Sequence, residues 1–145
     1  VLSAPLVAIR AARPSLPIRA QAILEAVLLV EGPIGSARSV ARRLALGDRF
    51  TLARLLKREG LPSLHQLAKW ASVLSWVGKA ERDDVSLSWI AYRSGRHPST
   101  CHRLVRELTG LTWSKVRAQG SAWVQARFLN LVLRGRKETR RKRSR

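Results

Sequence analysis

Acidic residues are scarce in this sequence: 9 Asp and Glu stand against 28 Lys and Arg, for a formal charge of +19. A surplus that large points to a polyanionic partner, either nucleic acid or an anionic membrane surface. Cysteine is nearly missing as well. The single Cys101 excludes an internal disulfide, and no Cys/His set has zinc-ligand spacing, so a reducing compartment and no metal are expected. Long apolar runs are lacking. The longest, Ala26 to Val30, is far short of a membrane span, and the first residues do not have the layout of a cleaved signal peptide. The expectation is therefore no membrane partner and a cytoplasmic, nucleoid-associated location. Methionine is absent and Val stands at position 1, so the chain reads as a fragment or as the product of a non-standard start, with a further domain expected upstream.

What is present suffices for folding. With 145 residues, 46% of them hydrophobic, the chain can bury one modest core or two small ones. The tail "RGRKETRRKRSR", Arg134 to Arg145, carries eight basic residues and one acid, or +7, which leaves +12 for the folded part. Such a tail is too charged to fold alone. It reads as a disordered end that adds unspecific phosphate contacts.

Helical periodicity dominates the rest. Pro5, Pro14 and Pro17 argue against a long helix in 1–17, which reads as an N-terminal extension. Ile18, Ala22, Ile23, Ala26, Val27 and Val30 follow helical spacing up to Glu31, and Gly32-Pro33 ends that helix. Ser36 or Ser39 caps a short helix to about Leu46, Gly47 marks a tight turn, and a second helix runs from Asp48 to Glu59 with Gly60 as its stop. A long helix follows from Leu64 to about Arg82. Next come a short helix, Ser86 to Ser94, a turn, Gly95 to Pro98, and a helix, Ser99 to Thr109, stopped by Gly110. Thr112 caps Trp113 to Gln119, and Trp123 to Leu133 closes the folded part. No run alternates with period two, so the expected fold class is all-α.

The chain also repeats itself. Val40-Ala41 matches Ile90-Ala91 and Arg43 matches Arg93 at an offset of fifty. "RLLKREG" from Arg54 matches "RLVRELTG" from Arg103 at forty-nine, and Gly60-Leu61 matches Gly110-Leu111 at fifty again. Each copy is a short helix, a tight turn, a second helix and a glycine stop, which is the helix-turn-helix layout whose second helix enters the DNA major groove. The organisation expected is a first unit at 18–62, a linker helix at 63–84, a second unit with a C-terminal helix at 85–133, and the basic tail at 134–145.

Within each second helix an apolar stripe leaves a polar face free. In the first copy Leu52, Leu55 and Leu56 form the stripe, leaving Arg49, Thr51, Ala53, Arg54, Lys57 and Arg58 outside or at the rim. In the second, Cys101, Leu104 and Val105 form it, leaving Arg96 in the turn and Ser99, Thr100, His102, Arg103 and Arg106 on the helix. Arg pairs bidentately with guanine, Ser, Thr and His make adaptable polar contacts, and small residues can touch a thymine methyl. One basic amphipathic helix is most simply a solvated surface; two aligned copies in so basic a chain favour double-stranded DNA. The linker, at about 1.5 Å per residue, would span about 30 Å. Successive major-groove faces lie about 34 Å apart, so adjacent grooves are within reach of one monomer.

These motifs resemble the DNA-binding domain of AraC/XylS-type bacterial transcription regulators, over about Ile18 to Gly120. "LVRELTGLTWSKVR" is similar to the end of that domain at Gly110, Thr112 and Arg117, with Trp113 in place of the usual proline and Val116 in place of an aromatic. "VARRLAL" fits the opening of its first unit. The resemblance implies two homeodomain-like helix-turn-helix subdomains joined by a long central helix, sequence-specific duplex binding and contact with RNA polymerase. It also implies base contacts from Phe50, Ala53 and Arg54 and from Ser99, Thr100 and Arg103. Family members carry a separate effector or dimerisation domain, for which 1–17 is too short. "IRAARPSLPI" faintly resembles the helix-to-strand step of a receiver domain, another form such a missing domain could take. The first turn is one residue longer than the family's and the second one shorter, which rotates both reading helices.

Other chemistries are weaker in the sequence. Cys101-His102 with His97 one turn earlier offers a nucleophile or a metal pair, but Cys101 falls on the buried stripe and no third ligand is near. No cofactor and no enzyme activity are expected. Trp70, Trp76 and Trp89 sit in apolar helical patterns and are expected in the core, rather than acting as stacking platforms for single strands. The competing binding mode is a non-specific basic protein, architectural or RNA-binding, with similar affinity for every duplex.

Overall fold

In a computed structural model the backbone is described over residues 3–29 and 37–143, and the side chains over 4–29 and 38–134. The described residues form nine helices and no strand: α1 (Ser3–Ala12), α2 (Ile18–Leu28), α3 (Ala37–Arg43), α4 (Arg49–Arg58), α5 (Leu64–Asp83), α6 (Leu87–Arg93), α7 (Pro98–Thr109), α8 (Trp113–Gln119) and α9 (Ser121–Arg143). None of them is long and apolar enough to cross a membrane. The helix stop expected at Gly32-Pro33 and the cap expected at Ser36 lie outside the described residues.

The chain divides into two compact units. One comprises residues 1–68 together with 129–145, and the other residues 69–128. In the first, α1 packs on α2 and α3 on α4. The prolines of the N-terminal segment leave room for the ten residues of α1, because Pro5 falls in its first turn, where backbone N–H groups have no intrahelical partner in any case. Pro14 and Pro17 lie in the link to α2, so "IRAARPSLPI" steps from helix to helix and not to a strand. This segment is part of the core: Leu6, Ile9 and Leu16 are buried along with Arg13. On α2 the buried residues Ala20, Ile23, Leu24, Val27 and Leu28 recur at three- and four-residue steps. On α4 they are Leu52, Leu55 and Leu56, the expected stripe.

In the second unit α6 packs on α7 and α7 on α8. Its core takes Trp70, Val73, Leu74, Trp76 and Val77 from α5, Leu87, Ile90 and Ala91 from α6, and Cys101 and Val105 from α7. Trp70 packs on Phe128 with ring centroids 5.9 Å apart and tilted by 58°. Two expectations need correction here. Leu104 is only half-buried, and Thr109 closes the α7 stripe instead, its hydroxyl donating to the Val105 carbonyl at 2.6 Å. Trp89 is 38% exposed and not a core residue, because it sits on the side of α6 away from Leu87, Ile90 and Ala91.

Helix α9 begins at Ser121 and continues through Arg143, well beyond the expected end at Leu133. Val124, Phe128 and Val132, at four-residue steps on one face of its first half, are fully buried.

Candidate nucleic-acid interface

The two repeats fold alike where their sequences align. In the first, the Leu46 N–H donates to the Ala41 carbonyl at 2.9 Å; in the second, the Arg96 N–H donates to the Ala91 carbonyl at 2.8 Å. Ala45 and Gly95, at the matching position, both have positive φ, 54° and 70°. The copies then diverge by one residue. Between α3 and α4 the chain needs residues 44–48, whereas between α6 and α7 it needs only 94–97. The extra residue is Gly47, at φ +87°, a conformation that disfavours any side chain even though an added Cβ would meet only Thr51 Oγ1 at 3.8 Å. Here the sequence offset falls from fifty to forty-nine. It returns to fifty because α7 is longer than α4, so that Gly60 and Gly110 coincide as stops, at φ 68° and 75°.

Different chemistry caps the two second helices. Asp48 is extended and accepts from the Thr51 N–H at 2.8 Å and from the Thr51 hydroxyl at 3.1 Å. Those bonds, the backbone one foremost, hold its carboxyl below the usual aspartate range. The Arg54 guanidinium in turn donates to Thr51 Oγ1 at 3.3 Å, so cap and arginine form one line along the exposed edge of α4. At α7 the cap is His97, whose Nδ1 accepts from the Ser99 N–H at 3.3 Å and lies 2.7 Å from Ser99 Oγ, and Pro98 opens the helix.

Every nominated residue lies outside the core. Arg49, Phe50, Ala53, Arg54, Lys57 and Arg58 on α4 are exposed and Thr51 is half-buried; Arg96 in the turn and Ser99, Thr100, His102, Arg103 and Arg106 on α7 are exposed. Phe50, Ala53, Arg54 and Lys57 share one face of α4 by helical spacing, and their counterparts Ser99, His102, Arg103 and Arg106 share one face of α7. Each face therefore presents two cations. Besides Arg54, Thr51 and Ser99, three further nominated side chains have contacts of their own. Arg58 pairs with Glu59 at 3.6 Å, Arg49 lies 4.8 Å over the Phe50 ring, and Arg96 lies 5.5 Å over the ring of Trp76.

Sequence reasoning missed two groups. Arg38 and Arg42 project from α3 beside Arg49 and, with Gly47, Asp48 and Phe50, line a pocket of about 370 Å³. Basic residues at a four-residue step on α3 were the available signal. The second group surrounds Trp89, with Arg93 at 4.7 Å and Lys79 at 5.4 Å from its ring centroid, next to the exposed Tyr92. Its signal was the step from Trp89 to Arg93, one turn apart on a single helix.

Cys101 is fully buried, and burial pushes its thiol up, away from the thiolate a nucleophile or metal ligand requires. Among the described residues no cluster of three His, Cys, Asp or Glu side chains is placed to hold a metal ion. Thr112 precedes α8 as expected but makes no side-chain cap bond. No known protein family, curated protein or solved structure matches this chain, so its function has to be read from the chemistry of these faces.

Proposed function

We propose that the protein is a sequence-specific, double-stranded DNA-binding transcription regulator, in which α4 and α7 are the reading helices of two helix-turn-helix units. The observation that carries this is the paired face: Phe50, Ala53, Arg54 and Lys57 on one helix and Ser99, His102, Arg103 and Arg106 on the other, each exposed behind a buried stripe. Asp48 caps α4 and also accepts from the Thr51 hydroxyl, to which the Arg54 guanidinium donates, so the cap is linked to an arginine of the exposed face. A guanidinium on an exposed helix face suits bidentate pairing with guanine O6 and N7. On this reading the two faces enter neighbouring major grooves, about 34 Å apart on the duplex. It keeps the resemblance to AraC/XylS-type regulators, contact with RNA polymerase and a cytoplasmic, nucleoid-associated site of action. It invokes no catalytic step.

Selection from a random duplex library, followed by binding of the selected and scrambled duplexes at two salt concentrations, tests the proposal. The expected result is a selected sequence bound about a thousandfold or more tighter than scrambled duplex, which is the lower end of the span typical of specific binders, about 10³–10⁷. Equal affinity for all duplexes with a steep salt slope would instead establish a non-specific basic protein.

A further inference from the structure

The pocket at the α3–α4 turn differs in kind from the reading face. Its lining is Arg38 and Arg42 from α3, the inserted Gly47, Asp48, and Arg49 and Phe50 from the start of α4. At about 370 Å³ it is near the small end of ligand pockets, roughly 300–1,000 Å³, and its lining is about as polar as it is apolar, where such pockets are usually predominantly apolar. Three arginines and one aspartate are among its lining residues, a formal net charge of +2. Asp48 is already engaged with Thr51 through the backbone N–H and the hydroxyl, and that engagement keeps it turned toward α4. Arg49 is steadied over the Phe50 ring at 4.8 Å.

The second repeat lacks this arrangement. The positions matching Arg38, Arg42 and Arg49 are Ser88, Tyr92 and Pro98, and Gly47 has no counterpart. The pocket therefore does not follow from the repeated architecture. It belongs to the inserted residue and to three arginines found only in the first copy.

We propose that this pocket is a phosphate-binding site, taking a phosphate mono- or diester between Arg38, Arg42 and Arg49. Planar, multidentate guanidinium donors match phosphate oxygens, and convergence of several of them on one concavity is the chemistry that selects phosphate over chloride. Two sources present this group: a backbone phosphate of duplex DNA, and a free phosphate ester. The first rests on the function proposed above; the second does not.

The test uses the full chain and the double variant Arg38→Gln/Arg42→Gln, which alters only exposed side chains and should leave the unfolding midpoint unchanged. Inorganic phosphate is titrated against chloride at matched ionic strength, following the Gly47 amide and the side-chain Nε–H signals of the arginines by NMR. The expected result is a saturable shift with phosphate that chloride does not reproduce, weakened at least fivefold in the variant. Duplex binding of both proteins is then measured against salt. If the variant loses affinity for all sequences alike, and its log–log salt slope falls by about 0.9 for each phosphate contact removed, the source is the DNA backbone. A variant that loses phosphate but keeps wild-type duplex binding assigns the pocket to a free phosphate ester. A wild-type protein that binds phosphate and no duplex supports the pocket while refuting the DNA reading. Phosphate shifts no larger than those with chloride overturn the proposal, whatever the duplex measurements show.

Discussion

Arg13 donates from Nη2 to the backbone carbonyl of Glu59 across 2.6 Å, tying the link after α1 to the C-terminal cap of α4. The arginine is only 6% exposed, so a charged group from the N-terminal segment holds the end of a proposed reading helix from inside the first unit. A hydrogen bond from a charged donor contributes about 1.5–3 kcal/mol, and Arg13→Ala also removes the packing of its stem. The substitution should lower the unfolding free energy by an amount in that range or above it, read as a lower midpoint in urea denaturation. Arg13→Lys should recover little, because an ammonium cannot reproduce the planar donor geometry. An unchanged midpoint in Arg13→Ala would show that the contact contributes nothing.

Glu81 caps the opposite end of the chain in the second unit. Its carboxylate accepts from the Ser121 N–H at 2.6 Å and from the Ser121 hydroxyl at 2.7 Å, at the first residue of α9. The hydroxyl bond first, then the backbone one, lowers its pKa below the usual 4.5. A depressed carboxyl stabilises the fold above its unfolded value, and that contribution is lost as pH falls through the folded one. The thermal midpoint should therefore decline as pH drops below about 4.5, and Glu81→Gln should decline less over the same window. Parallel curves for the two proteins would exclude this cap as a source of acid sensitivity. Gly120→Ala should destabilise at every pH, since φ is +91° there and a Cβ would stand 3.2 Å from Glu81 Oε1.

Arg54 and Arg103 occupy equivalent places on α4 and α7, and both are exposed. If they read bases, replacing either with alanine should cost about 1–3 kcal/mol on the selected duplex and relax its specificity at one position. Competition binding against single-base variants of that duplex measures this directly. Equal weakening on all sequences would make them phosphate contacts.

Cys101 should resist alkylation in the native protein. Its thiol is buried and pushed toward the protonated form, so reaction must wait for opening of the second unit. Labelling rates with iodoacetamide should stay low in buffer and rise steeply across the urea transition. Rapid labelling without denaturant would mean that α7 opens easily.

The sequence by itself determined the all-helical class and the identity of most elements, because periodicity, proline and glycine act locally. The α4 stripe of Leu52, Leu55 and Leu56 is an example: three- and four-residue spacing fixes one face of a helix whatever it packs against. The offset change from fifty to forty-nine was likewise visible, and the structure attaches it to Gly47. Tertiary structure alone decided the rest. The role of residues 1–17 depended on the burial of Leu6, Ile9 and Arg13, which requires partners many residues away. Trp89 looked like core because its helix is apolar; only the packing of α6 turned it outward beside Arg93. The arginine pocket needed two helices and the turn between them to converge, and convergence of separate elements is a property that no local pattern encodes.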